Sequence, residues 1–110
     1  MTARRGEVWF LDFDPVTGHE QAGYRPALVL SADVANQAGM VTVLPLTSKP
    51  RPYKTRVALV PPEGGATVPS WVICEQCRTV DTRRLKRLAG RVSAPTMTKV
   101  SDVVRILLGL

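Results

Sequence analysis

At 110 residues the chain has room for one domain, spanning residues 1–110, with a core able to bury roughly 60 to 70% of its unfolded surface. Fifteen Lys and Arg against nine Asp and Glu give a net charge of +6, which biases the partner toward polyanions, nucleic acid before an acidic protein segment. No apolar run approaches the roughly 20 residues of a membrane span, and Glu7, Asp12 and Asp14 interrupt the N-terminal stretch where a signal peptide would be apolar, so a cytoplasmic protein without membrane attachment is expected.

Glu7 to Phe13 predicts a first strand, with Trp9, Leu11 and Phe13 on one face and Val8 and Phe10 on the other. Asp14-Pro15 ends it, and a glycine-bracketed loop, GHEQAGYRP from Gly18 to Pro26, follows. Pro26 to Ser31 and Met40 to Pro45 are short apolar runs suited to central strands. Between them Asp33 to Ala38 predicts one or two helical turns, capped by Ser31 and stopped by Gly39. Lys49 to Lys54 (KPRPYK) is too rich in proline and charge for a central strand and reads as an exposed basic loop. Further strands are expected over Arg56 to Val60 and Trp71 to Glu75, separated by a second Pro/Gly loop.

Cations dominate Arg78 to Arg91, and from Arg83 onward the stretch reads as a solvated basic face set apart from the site. From Pro95 on, Met97, Val100, Val103, Val104, Leu107 and Leu108 recur at helical spacing. Ser93 is the expected N-cap and Gly109 the terminator. Five or six short strands and one closing helix favour a mainly β fold, a small half-open barrel, because no helix is long enough to cross over between parallel strands. Cys74 and Cys77 in CEQC lack the four ligands of a structural zinc site, since the chain adds only one distant histidine. On a strand, residues three apart face opposite ways with Cα atoms about 10 Å apart, so both cysteines are expected reduced, Cys74 packed. Neither a metal nor a cofactor is expected.

Within GHEQAGYRP, His19, Glu20, Gln21 and Arg25 supply a titratable base, an acceptor, an amide and a fixed cation. Arg25 is held extended before Pro26, where it either clamps a phosphate or pairs with Glu20 to brace the loop. Thr47 and Ser48 sit where LPL runs into the basic loop, a corner suited to an anion nest or simply a turn. His19 is the only histidine, and beside Glu20 it is a candidate for acid–base work. Gln21 and Gln76 offer amides for base edges. Lys49, Arg51, Lys54 and Arg56 would line a phosphate-tracking groove. Tyr24, Tyr53 and Trp71 are available for stacking, which favours single-stranded RNA over duplex DNA, although Trp71 also suits plain core packing.

In this order and spacing, RGEVWFLDFDP, GHEQAGYRPALVLS, VLPLTSK, CEQCRTVDTRRL and the closing LLGL resemble the MazF/PemK family of endoribonuclease toxins over nearly the whole chain. The resemblance implies an SH3-like barrel with a C-terminal helix, a homodimer, and an antitoxin partner whose acidic tail would suit the basic groove. It implies metal-independent cutting of single-stranded RNA by the RNA's own 2′-hydroxyl, leaving a 2′,3′-cyclic phosphate and a 5′-hydroxyl. The family's catalytic arginine and threonine fall on Arg25 and Thr47, and its glutamate on Glu20. His19 matches the histidine of the PemK/Kid branch. That branch also uses an arginine and an aspartate where this chain has Ile73 and Glu75, which leaves Arg25 as the main charge stabiliser and proton transfer to Thr47, His19, Glu20 or water. A competing reading is a CcdB-like toxin that binds DNA gyrase and cleaves nothing; a third is a barrel that binds RNA without cutting it.

Overall fold

The computed structural model describes residues 2–13, 18 and 23–110. Seven antiparallel strands are present among them: β1 (Glu7–Asp12), β2 (Tyr24–Val29), β3 (Met40–Thr47), β4 (Arg56–Leu59), β5 (Ser70–Ile73), β6 (Arg78–Asp81) and β7 (Leu85–Arg91). A short helix α1 (Asp33–Asn36) and a long one α2 (Ala94–Leu108) complete the chain. The strands form one curled sheet in the order β4-β5-β3-β2-β1-β7, with β6 also pairing β3, which is the expected half-open barrel.

β1 presents two faces to two clusters. Trp9, Leu11 and Phe13 join Ala27, Val29, Val41, Val43 and Val80 on one side. Val8 joins Leu28, Leu44, Val72 and, from α2, Val100 and Val104 on the other. Alternation along a strand puts every second side chain into a different cluster, so both faces of β1 are covered. α2 starts where Ser93 accepts the Thr96 N–H as N-cap, and it ends at Gly109, whose φ of +71° closes a left-handed cap. Its apolar stripe reaches the core only through its first three turns, since Leu107 and Leu108 are 41% and 59% exposed. No helix among the described residues is long and apolar enough to cross a membrane.

Three sequence expectations change. Ser31 does not cap α1: Ala32 holds the N-cap position, while the Ser31 hydroxyl contacts Asn36 Oδ1 and accepts the Thr42 N–H at 3.0 Å. The strand expected over Trp71 to Glu75 stops at Ile73, and Cys74–Gln76 form a 3-10 turn. β5 and β6 are both partners of β3, but the register shifts by three residues between them, and this turn absorbs the shift. Both cysteines are free, Cys74 buried and Cys77 exposed. Finally, the run from Arg83 to Arg91 is not merely a solvated face but supplies β7. β7 closes the β1 edge, and a charged edge strand blunts unwanted pairing.

Candidate active site

The β2–β3 register pairs Ala27 with Pro45. Continued two residues further, it sets Arg25 opposite Thr47 on the same face. Both line one cavity of about 420 Å³, together with Ser48, Phe10, Pro26, Leu46 and Arg87. Its far wall is the 64–70 segment, which contributes Gly64, Gly65, Thr67, Val68 and Ser70. This is the size and mixed lining expected of a small-ligand site.

The wall is fixed by backbone contact. A Cβ on Gly65 would lie 2.1 Å from the Ala89 carbonyl oxygen, and one on Gly90 would lie 2.5 Å from the Gly65 nitrogen, so only glycine allows the segment to sit on β7. Glu63, at the head of the segment, accepts hydrogen bonds from Ser93 N (2.9 Å), Ser93 Oγ (3.0 Å) and Thr96 Oγ1 (2.6 Å), tying it to the start of α2. Partial burial works against the Glu63 carboxylate, but these donors and the charge of Lys99 hold its pKa below the ordinary carboxylate value.

Thr47 is 6% exposed, and its Oγ1 accepts the Lys49 N–H at 3.1 Å, which leaves its own proton to donate elsewhere. It also lines a second cavity of about 560 Å³, with Lys49, Arg51, Tyr53, Arg56, Glu75 and Gln76. The two cavities therefore meet at Thr47. In the second, Arg56 pairs with Glu75 at 2.8 Å and stacks over the Tyr53 ring at 5.0 Å, while the Thr55 hydroxyl donates to Glu75 Oε1 at 2.8 Å. Burial pushes the Glu75 carboxyl up, yet the Arg56 and backbone hydrogen bonds, the Thr55 hydroxyl and the Arg56 charge outweigh it and hold it low. Position 73 holds isoleucine, but its cross-strand neighbour is Arg56, so a guanidinium reaches Glu75 from the adjacent strand. Burial, with the Glu75 charge second, pushes the Cys74 thiol up to about 12, so Cys74 is an inert core residue.

Of the residues expected from sequence, Arg25, Thr47 and Ser48 gather in the first cavity, and Thr47, Lys49, Arg51 and Gln76 in the second. Tyr24 is exposed and stacks on Phe10 at 5.4 Å, at the edge of the first cavity. Lys54 is exposed and lines neither. His19, Glu20 and Gln21 lie outside the described residues. The segment that carries them begins and ends where the Phe13 N–H bonds the Gly23 carbonyl at 3.0 Å, two residues from Arg25. Phe10, Arg87 and the 64–70 wall are absent from the sequence-derived set. Nothing local in the sequence marks them, since each reaches the cavity through a pairing with a distant segment. Among the described residues, no group of three His, Cys, Asp or Glu could hold a metal ion.

Fold and site together define a small antiparallel barrel with a basic, hydroxyl-lined double cleft. Residues 4–108 match the family described as "PemK-like, MazF-like toxin of type II toxin-antitoxin system", and the chain belongs to that family. It is 38% identical to "Endoribonuclease MazF9" of Mycobacterium tuberculosis, over 97% of each chain. Among solved structures it is similar to MazF from Deinococcus radiodurans, at 33% identity and a TM-score of 0.90 over 100% of this chain and 99% of that one. It is also similar to a MazE–MazF structure from the same organism, at 34% identity and a TM-score of 0.82 over 100% and 98%. These matches do not favour the gyrase-binding alternative.

Proposed function

We propose that this protein is the toxin of a type II toxin–antitoxin pair and acts as an endoribonuclease on single-stranded RNA. The observation that carries this reading is the junction of the two cavities at Thr47, with Arg25 on one side and Lys49 and Arg51 on the other. A strand of RNA laid along both clefts would present a phosphate at the junction. The adjacent ribose 2′-oxygen then bonds to phosphorus as the bond from phosphorus to the 5′-oxygen breaks. The products are a 2′,3′-cyclic phosphate and a 5′-hydroxyl. Arg25 offers a guanidinium fork to the charge that builds on the phosphoryl oxygens, and the Thr47 hydroxyl donates a hydrogen bond to the same group. The 2′-hydroxyl proton must leave and the 5′-oxygen must gain one. Thr47, His19, Glu20 or water are the proposed carriers. Because the arginine supplies the positive charge, the chemistry calls for no metal ion.

Gln21, Tyr24, Ser48, Lys49, Arg51, Lys54 and Gln76 are proposed to hold the RNA. The protein works as a homodimer in the cytoplasm, and the solved MazE–MazF relative supports an antitoxin as its partner. An acidic tail, disordered until bound, would fit the basic cleft. The test is to incubate pure protein with a long RNA in EDTA and examine the fragments. Discrete fragments ending in cyclic phosphate are expected, and a 2′-deoxy substitution 5′ of the cut should abolish cutting while binding persists. Absence of fragments, or efficient cutting of the deoxy substrate, would refute this reading.

A further inference from the structure

The arginines of the 78–91 stretch differ in what holds them. Arg83 grips Asp81 at 2.9 Å, Arg91 reaches Glu7 at 3.2 Å, and Arg78 donates to the Phe13 carbonyl at 2.8 Å. Arg87 has no carboxylate within ion-pair distance among the described residues. Instead its guanidinium carbon lies 4.3 Å from the centre of the Phe10 ring. The register explains the contact. Phe10 is flanked by Arg87 on β7 and by Pro26 on β2, so Arg87 enters the first cavity from the side of β1 opposite to Arg25.

A guanidinium lying on an aromatic ring keeps its charge and its donors, and presents a flat second face. Arg87 is exposed, and Tyr24 extends the aromatic surface on Phe10. A flat cation, an aromatic surface and the hydroxyls of Thr47 and Ser48 in one cavity match a nucleotide, which brings a π face and a phosphate together. An acidic peptide would use the charge but not the flat faces.

We infer, resting on the ribonuclease reading above, that the first cavity is a nucleotide subsite in which Arg87 binds the residue next to the scissile phosphate, stacking on its base and pairing with its phosphate. Arg87 contributes to RNA affinity, while the reacting phosphate stays with Arg25 and Thr47.

The experiment compares Arg87→Gln, Arg87→Lys and Arg83→Gln, using a short RNA made uncleavable by a 2′-deoxy residue at the cut and the corresponding cleavable RNA. Arg87→Gln should weaken binding about 10-fold, raise KM to match, leave kcat near wild type, and flatten the slope of log affinity against log salt by about 0.7. Arg87→Lys should restore the slope but not the full affinity, because an ammonium has no flat face. Arg83→Gln removes the same charge from the same stretch outside the cavity and should change affinity far less. Equal losses in Arg83→Gln and Arg87→Gln, or full rescue by lysine, would overturn the inference. So would unchanged RNA affinity in Arg87→Gln alongside weakened binding of a polyglutamate peptide, which would make the cavity a protein-docking site. Wild-type protein that cuts no RNA would instead refute the ribonuclease reading itself.

Discussion

Replacing Glu63 tests whether the cavity wall is held from the outside. One carboxylate oxygen receives three hydrogen bonds from Ser93 and Thr96, at the N-terminus of α2. In Glu63→Ala the Ser93 donors are exposed enough to rehydrate and the buried Thr96 hydroxyl keeps Ser93 Oγ beside it, so each lost bond costs about 0.5–1 kcal/mol, and losing a negative charge at a helix N-terminus adds about 0.5 kcal/mol, discounted for partial exposure. The total is about 2–3.5 kcal/mol. For a domain of this size that lowers Tm by about 8–14 °C. Thermal unfolding followed by circular dichroism at pH 7 reads this directly. The pH dependence has a definite sign. The native carboxyl titrates below the unfolded one, so its contribution is present above the unfolded pKa and is lost as pH falls through the native value. The gap between wild type and Glu63→Gln should therefore narrow in acid. A Glu63→Ala Tm within about 2 °C of wild type, or a Gln gap unchanged at pH 3, would show that the wall does not depend on this anchor.

Arg25→Ala should lower the cleavage rate about 100- to 1000-fold, as expected for one preorganised donor to a developing charge, and Arg25→Lys should not recover it, because a point charge lacks the fork. Near-wild-type cutting by a folded Arg25→Ala variant would reduce Arg25 to a loop brace. Removing Lys49 and Arg51, which line the second cavity, should each flatten the slope of log RNA affinity against log salt by about 0.7. Lys54, outside both cavities, should contribute less, and equal effects at all three positions would argue for a diffuse field rather than a groove.

What the sequence made legible was local. The two faces of β1, the Ser93 cap and the breaking of strand by KPRPYK depend on periodicity and on residues a few positions apart, which a single sequence displays. Arg25 and Thr47 were also legible as candidates, since each stands at the end of an apolar run, but their meeting in one cavity depends on the β2–β3 register. The missed residues are those whose partners lie far along the chain. Arg87 acquires its position only because β7 pairs with β1, and Glu63 only because its loop meets α2. The 3-10 turn at Cys74–Gln76 was hidden for a different reason. WVICEQC carries strand propensity throughout, and nothing local reveals that β5 and β6 must meet β3 in shifted registers.

The contact between Gly65 and Gly90 bears on how tightly a ligand can be held. Main chain lies against main chain there, with no side chain between to change rotamer, so Gly64 and Gly65 are held directly on β7. The conformational entropy of shaping that side of the cleft is lost when the protein folds, before any RNA arrives. Encounter then needs to order chiefly the RNA itself, and more of the contact energy appears as affinity.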